Sequence, residues 1–132
     1  MSPTRVVIVD DHPDVRAVIA ALLSDEKGYE VVGQAGDGAA AIELVAQLEP
    51  DLVMLDLSMP VMDGLTALPR IREVAPRAKI LVLSGFGTDA TVNAALSLGA
   101  DGFLHKEGSL AHKLQPALDE IFGGARGGRA AG

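Results

Sequence analysis

The chain has 132 residues, a length that suits one domain with a single core. At 48% hydrophobic and 22% charged it has the composition of an ordinary globular domain, and its formal net charge of -7 argues against a chain that binds nucleic acid unaided. It contains no cysteine, which excludes disulfides, thiolate metal sites and cysteine nucleophiles. No apolar run is long enough to span a bilayer and the start "MSPTR" lacks a signal-peptide core, so we expect a cytoplasmic protein without membrane contact.

Five short apolar runs recur at steady intervals along the chain. Three of them are nearly continuous apolar blocks, which is typical of strands covered on both faces, as in a parallel sheet. The predicted strands are residues 5–9, 29–35, 51–56, 79–84 and 101–106.

A segment with helical periodicity follows each predicted strand. In the first, apolar residues fall on one face and Pro13 suits a first helical position, and in the second Asp37 suits the N-cap. The predicted helices are residues 13–25, 37–48, 64–74, 88–99 and 109–122. This alternation predicts an α/β fold, the flavodoxin-like (βα)5 arrangement with a doubly wound, five-stranded parallel sheet of strand order 2-1-3-4-5.

Two prolines and the end of the chain depart from this regular pattern. Pro69 and Pro116 fall inside predicted helices, where the missing backbone hydrogen bond predicts kinks or displaced helix starts. Residues 123–132 are rich in Gly, Ala and Arg and show no apolar periodicity. We expect one domain over residues 1–122, followed by a flexible tail or the start of a linker.

Polar side chains stand at the ends of four predicted strands: Asp10 and Asp11, Asp56, Ser84 and Lys106. Ligands of an open parallel sheet bind beyond the carboxyl ends of its strands, so we expect these groups to meet in one cleft. Three carboxylates held together repel unless a cation neutralises them, and Mg²⁺ prefers such oxygen ligands. A hydroxyl and an ammonium beside them suit a phosphoryl group, with a carboxylate as its nucleophile.

Each of these residues has a plainer interpretation when it is taken alone. Adjacent aspartates after a strand are often a helix cap, Asp56 could be a turn residue, and Lys106 could be a solvated charge. We interpret His12 as a capping-region side chain rather than a metal ligand. Five polar residues at four strand ends in one register favour a functional site over these separate interpretations.

Four segments resemble the response-regulator receiver domain of two-component signalling: "VDDHP", "DLVMLDLSMPVMDG", "ILVLSG" and "GADGFLHK". They occur in the order and spacing of that family and extend the resemblance over residues 5–122. The sequences "VVIVDDHPDVR" and "LGADGFLHK" are most similar to those of the LuxR/NarL kind, whose members usually carry a C-terminal helix-turn-helix DNA-binding domain. The resemblance implies the N-terminal part of a transcriptional regulator.

The resemblance also implies the roles of the acidic residues. Asp56 would be the phosphoacceptor, which a sensor histidine kinase phosphorylates in a phosphorelay with Mg²⁺ bound, or with Mn²⁺ as a substitute. Asp11, Asp56 and the backbone carbonyl of Ser58 would ligate the metal directly, and Asp10 would act mainly through a water. The domain would catalyse its own phosphorylation and slow dephosphorylation without being a conventional enzyme.

The remaining site residues would make the phosphorylated state a switch. By the resemblance, Lys106 would pair with the phosphoryl oxygens, Ser84 would move to bond them, and Phe103 would follow as the switch aromatic. Ser58 and Phe86 would modulate the lifetime of the phosphoryl group, because the large apolar Phe86 restricts water at the mouth of the site. Glu107 stands where many receivers have proline, so we expect no cis peptide after Lys106.

The fourth predicted helix is poor in charge and belongs to the surface that many receivers use for output. We expect Val92, Leu96 and Ala95 to face the core and Thr91, Ala94 and Leu98 to face solvent. The fourth and fifth helices would then contact an output domain or a second copy in a homodimer, and this chain itself would bind no nucleic acid.

Three alternatives to a transcriptional regulator stay open. The chain could be a stand-alone receiver, or a phosphorylation-independent adaptor of the same fold, which the intact site disfavours. A small-molecule phosphohydrolase with Asp56 as nucleophile is disfavoured by the short connections, which leave no cap insertion over the site.

Overall fold

Five strands alternate with five helices in the computed structural model, which describes residues 3–25, 28–57, 59, 62–85, 88–106 and 108–122. The strands are β1 (Thr4–Val9), β2 (Tyr29–Ala35), β3 (Leu52–Asp56), β4 (Lys79–Ser84) and β5 (Gly102–His105). The helices are α1 (Pro13–Asp25), α2 (Gly38–Leu48), α3 (Gly64–Val74), α4 (Asp89–Ser97) and α5 (Leu110–Ile121). These bounds confirm every predicted element to within about two residues, the usual uncertainty of an element end.

All strand pairs are parallel, and the sheet has the order β2-β1-β3-β4-β5. Alternate residues of each strand point to opposite faces, so the core consists of two clusters. One joins Val7 and Val53 to the apolar faces of α2, α3 and α4, and the other joins Ile8 and Met54 to α1 and α5. Because both faces are covered, β1, β3 and β4 are buried almost throughout, as their continuous apolar sequences predicted.

The helix starts follow the capping rules. Asp37 accepts a hydrogen bond from the Ala40 amide at 2.8 Å, as expected for an N-cap, and Asp63 accepts one from the Thr66 amide at 2.8 Å. Helix α1 begins at Pro13, which confirms its predicted place at the first helical position.

The two helical prolines do not displace the helix starts. Helices α3 and α5 begin at Gly64 and Leu110 and continue through Pro69 and Pro116, so that part of the prediction is wrong. Both prolines lie on exposed helix faces, where water can bond the carbonyl that each proline leaves unpaired.

Helix α4 is rotated relative to the prediction. Ala95 is fully buried and Leu98 is 38% exposed, both as expected, but Leu96 is 45% exposed and does not face the core. Thr91, Val92 and Ala94 are half-buried. The buried stripe is centred on Ala95, and at 100° per residue this centre turns Leu96 out of the interface.

No helix within the described ranges is both long and apolar enough to cross a membrane. The predicted tail, residues 123–132, lies outside the described residues.

Candidate functional site

Four strands deliver polar groups to one edge of the sheet. Asp10 follows β1, Asp56 and Ser84 are the last residues of β3 and β4, and Lys106 follows β5. Asp10, Asp56 and Ser84 are only 1%, 2% and 3% exposed, and they are the polar residues that the fold buries in the described part of the chain. Burying polar groups is costly unless they are partnered, so their concentration at one edge indicates a site rather than a chance cluster.

The ammonium of Lys106 lies between two of the carboxylates. Its Nζ is 2.6 Å from Oδ2 of Asp10 and 3.1 Å from Oδ1 of Asp56. The Lys106 amide donates to the Ser84 carbonyl at 2.8 Å, so pairing with β4 fixes where the side chain starts. Burial alone would lower the pKa of Lys106, but the hydrogen bond to Asp10 and the charges of Asp56 and Asp10 outweigh it, and the pKa is raised above its ordinary value. The lysine is therefore a fixed positive charge at neutral pH.

Every polar group of Asp10 has a partner. Its amide donates to the Ala35 carbonyl at 3.0 Å, and its own carbonyl accepts from Nη1 of Arg16 at 2.6 Å. Its Oδ1 accepts from the His12 amide at 2.9 Å, while Oδ2 accepts from Lys106. Asp10 is thus held rigidly at the end of β1, which suits a residue that acts on a metal through a water.

Asp11 is held less completely. It is half-buried, and its Oδ1 is shielded from solvent without a hydrogen-bond partner. The Nδ1 atom of His12 lies 3.0 Å from this oxygen, but not in the alignment of a hydrogen bond. A carboxylate oxygen in this state can accept a cation without first losing a protein partner.

His12 lies at the start of α1. Its carbonyl accepts from the Arg16 amide at 3.1 Å, as an N-cap carbonyl does, and its side chain is 67% exposed. These features agree with our interpretation of His12 as a capping-region residue. Its ring also offers a nitrogen within 4.8 Å of ligand atoms of Asp10 and Asp11.

The charges at this edge fit a divalent cation. Asp10 and Asp56 lie against the ammonium of Lys106, and ligand atoms of Asp10, Asp11 and His12 lie within 4.8 Å of one another, so three carboxylates at this edge accompany one ammonium. The donors are oxygens, as Mg²⁺ and Mn²⁺ prefer, and the unpartnered oxygen of Asp11 offers a ligand position. By the resemblance Asp11 and Asp56 would hold the metal and Asp10 would act through a water; the carboxylates that the structure brings within 4.8 Å of each other are those of Asp10 and Asp11.

The predicted switch residues lie on the two strands at the β5 edge. Ser84 is buried at the end of β4, where it is in register with His105 of β5. Phe103 is half-buried, and its ring lies 5.1 Å from the His105 ring at an interplanar angle of 58°. The aromatic ring therefore packs along its own strand against a neighbour that the sequence did not suggest.

A shallow groove of about 250 Å³ adjoins the site. It runs between the starts of α1 and α5 and is lined by Asp14, Val15, Val18, Lys106 and Leu110. Val18 is 52% exposed there, so the groove presents apolar surface beside the charged cluster.

Three predicted positions lie outside the described residues: Ser58, Phe86 and Glu107. The metal-ligand role of the Ser58 carbonyl, the lifetime roles of Ser58 and Phe86, and the peptide bond to Glu107 stay predictions.

Comparison with known proteins shows which class of protein has this fold and this site. The chain matches the model of the response regulator receiver domain over residues 6–117. It is 39% identical over 128 residues to the nitrate/nitrite response regulator protein NarP of Escherichia coli K12, covering 97% of this chain and 58% of NarP. It is 40% identical over 102 residues to the chemotaxis protein CheY of Thermotoga maritima, covering 77% of this chain and 84% of CheY.

A solved structure of the signal receiver domain of the response regulator NarL from Mycobacterium tuberculosis is similar throughout. It has a TM-score of 0.84 and 37% identity, covering 93% of this chain and 99% of that chain. The chain belongs to the response regulator receiver domain family, and its similarity to the LuxR/NarL kind is as predicted. It spans about half the length of the nitrate/nitrite response regulators that it matches.

Proposed function

We propose that this domain is a phosphorylation switch whose phosphoacceptor is Asp56. The observation that carries the proposal is the burial of the Asp56 carboxylate at the carboxyl end of β3, 3.1 Å from the ammonium of Lys106. A carboxylate in that position is desolvated, and a fixed cation stands beside it to receive the oxygens of an incoming phosphoryl group.

In the proposed reaction an Asp56 oxygen attacks the phosphorus of a phosphohistidine in a sensor kinase. The new oxygen–phosphorus bond forms as the nitrogen–phosphorus bond breaks, the electron pair stays on the nitrogen, and the leaving imidazole takes up a proton from water. Bound Mg²⁺ would neutralise the charge that gathers on the transferred oxygens. Lys106 would exchange its contact with Asp56 for one with a phosphoryl oxygen while keeping its 2.6 Å bond to Asp10.

The groove beside Lys106 supports a protein as phosphodonor. Its apolar lining by Val15, Val18 and Leu110 borders the charged cluster, so a kinase domain that covers it would bring its phosphohistidine to the edge of β3. Water would be displaced from the site at the same time, which strengthens its electrostatic interactions.

The proposed output begins with Ser84 and Phe103. A phosphoryl group on Asp56 adds charge and acceptor oxygens, so Ser84 would move to bond it and Phe103 would enter the space that Ser84 leaves. This change would favour one position of α4 and β5. Exposed Leu96 and Leu98 then lie on the surface that would contact an output domain or a second copy.

We extend the proposal to transcriptional regulation because the chain matches NarP and NarL over about half of their lengths. A stand-alone receiver is the second candidate, since the chain covers 84% of the CheY protein of Thermotoga maritima. Whether the reading frame continues past Gly132 into a helix-turn-helix domain decides between them.

The switch itself is tested by labelling with a small phosphodonor, such as acetyl phosphate, in the presence of Mg²⁺. We expect the wild-type chain to be labelled and Asp56→Asn to stay unlabelled. Asp51→Asn is the matched control, because Asp51 lies just before the opposite end of β3 and accepts from the Arg5 amide at 2.9 Å. Labelling of Asp56→Asn to the same extent as the control would disprove the assignment, and steady release of phosphate from small esters would favour a phosphohydrolase.

A further inference from the structure

The geometry points to Arg16 as a positioning residue for the metal site, with Gln34 holding Arg16 in place. This inference rests on the proposed function, because it concerns the metal site formed by Asp10, Asp11 and Asp56. Arg16 would touch neither metal nor substrate and would act through the backbone of Asp10.

Arg16 contacts the turn of the chain after β1. Nη1 of Arg16 donates to the Asp10 carbonyl at 2.6 Å, and Nε donates to Oε1 of Gln34 at 3.1 Å. Arg16 is half-buried in α1, while Gln34 is an exposed residue of β2. A charged donor held at two points gives a stronger and better directed hydrogen bond than a neutral one.

The direction of the Asp10 carbonyl controls the position of Asp11. The carbonyl of Asp10 and the amide of Asp11 belong to one planar peptide unit, so fixing the carbonyl direction fixes the plane that leads to the Asp11 Cα. Asp11 is the ligand whose Oδ1 has no hydrogen-bond partner. Its side chain therefore depends on the backbone for its position, and Arg16 sets that backbone.

In the described part of the chain, the sheet pairing stops before the Asp10 carbonyl. The pairing of β1 with β2 ends at Val9 and Ala35, and the last sheet-like bond runs from the Asp10 amide to the Ala35 carbonyl. The Asp10 carbonyl lies beyond this pairing, at the point where the chain turns into α1. Arg16 supplies a donor where the sheet supplies none.

A purely structural role would give a different result, and Arg5 provides the comparison. Arg5 lies on β1, five residues before Asp10. At about 3.3 Å per residue of strand, it is about 16 Å from Asp10. Its Nη1 also donates to backbone carbonyls, those of Leu48 at 2.8 Å and Glu49 at 3.1 Å. Arg5→Gln thus removes a similar set of bonds far from the metal site.

The experiment is a Mg²⁺ titration of the full chain, monitored by the NMR chemical shifts of the backbone amides. The variants are Arg16→Gln, Arg16→Lys, Gln34→Ala and Arg5→Gln. We expect Arg16→Gln to raise the Kd for Mg²⁺ about tenfold, as loss of a supporting hydrogen bond does at other metal sites. Arg16→Lys should recover part of that loss, since lysine can reach one acceptor but not both. Gln34→Ala should raise the Kd less than Arg16→Gln does, and Arg5→Gln should leave it unchanged.

A second readout separates positioning from chemistry. At saturating Mg²⁺, Arg16→Gln should be phosphorylated by acetyl phosphate at nearly the wild-type rate, whereas its half-saturating Mg²⁺ concentration should rise with the Kd. In metal-free protein, hydrogen exchange at the Asp10 amide should be faster in Arg16→Gln than in Arg5→Gln.

The inference is overturned if Arg16→Gln binds Mg²⁺ as tightly as the wild type, or if Arg5→Gln weakens binding equally. Should Arg16→Gln fail to fold, Gln34→Ala decides the question, because its side chain is exposed and an unchanged Kd would overturn the inference. A wild-type chain that does not bind Mg²⁺ would instead disprove the proposed function, so the two failures are distinguishable.

Discussion

Replacing Lys106 by methionine should destabilise the metal-free protein strongly, because the change removes the cation that lies between two buried carboxylates. Asp10 and Asp56 are 1% and 2% exposed, so neither can turn to solvent when the ammonium is lost. Removing one partner of a buried ion pair typically costs about 3–5 kcal/mol. The Lys106 side chain is itself 21% exposed, which reduces the effect, and we expect a loss of about 3 kcal/mol.

The measurement is urea unfolding, monitored by circular dichroism, with and without Mg²⁺. A metal bound in the proposed site would replace the lost positive charge and would stabilise the folded state, so Mg²⁺ should reduce the difference between Lys106→Met and the wild type. At a Mg²⁺ concentration of about 100 times the wild-type Kd, binding would add about 2.7 kcal/mol to the wild-type free energy of unfolding. Lys106→Met should gain at least that much, since its site carries one more uncompensated negative charge.

Lys79→Met serves as the control for this prediction. Lys79 is a half-buried lysine at the first residue of β4, at the opposite end of the sheet. We expect Lys79→Met to cost less than about 1 kcal/mol and to show the same Mg²⁺ dependence as the wild type. If Lys106→Met is no less stable than Lys79→Met without metal, the electrostatic account of the site is wrong.

Three further predictions concern packing, backbone contact and pH. Leu118→Ala removes a fully buried side chain of α5 and should cost about 2–5 kcal/mol in urea unfolding, whereas Leu98→Ala, at a position 38% exposed, should cost about 0.5 kcal/mol or less. Gly64→Ala places a Cβ against the backbone oxygen of Asp56 and should lower stability by about 1–3 kcal/mol and slow labelling by acetyl phosphate, while Gly85→Ala meets nothing within 4 Å and should be as stable as the wild type. Because the pKa of Lys106 is raised on folding from 10.5, its contribution to stability is complete below that pH and is lost as the pH rises through the folded value. The urea midpoint of the wild type should therefore fall above about pH 10.5 more steeply than that of Lys106→Met; parallel curves would contradict the assignment.

The sequence predicted the strands and the convergence of Asp10, Asp56 and Lys106 because both follow from short-range pattern. A continuous apolar run marks a strand covered on two faces, and parallel strands present their carboxyl ends at a common edge. The residue that ends such a strand therefore has a position that requires no knowledge of distant packing. For this reason the local sequence alone was enough to predict that these three side chains lie at the same edge of the sheet.

Contacts that depend on rotation or on long side chains could not be placed in that way. The exposure of Leu96 depends on how α4 turns against its neighbours, and Ala95 and Leu96 differ by only one residue in a sequence with few charges to orient it. The hydrogen bonds of Arg16 join helix α1 to Asp10 in the turn after β1 and to Gln34 of β2. From the sequence alone, an arginine near a helix start is usually expected to keep its guanidinium in solvent. The only signal for it was a cation one turn into the helix that follows two aspartates.

The position of Lys106 has a mechanical consequence. Its backbone continues β5, an edge strand of four residues that pairs with β4, while its ammonium reaches past β4 to Asp56 at the end of β3 and to Asp10 after β1. The side chain thus links the centre of the sheet to an edge strand. A change of charge at Asp56 would alter the electrostatic force on this link, and the strand that carries Phe103 pairs with its neighbour over four residues.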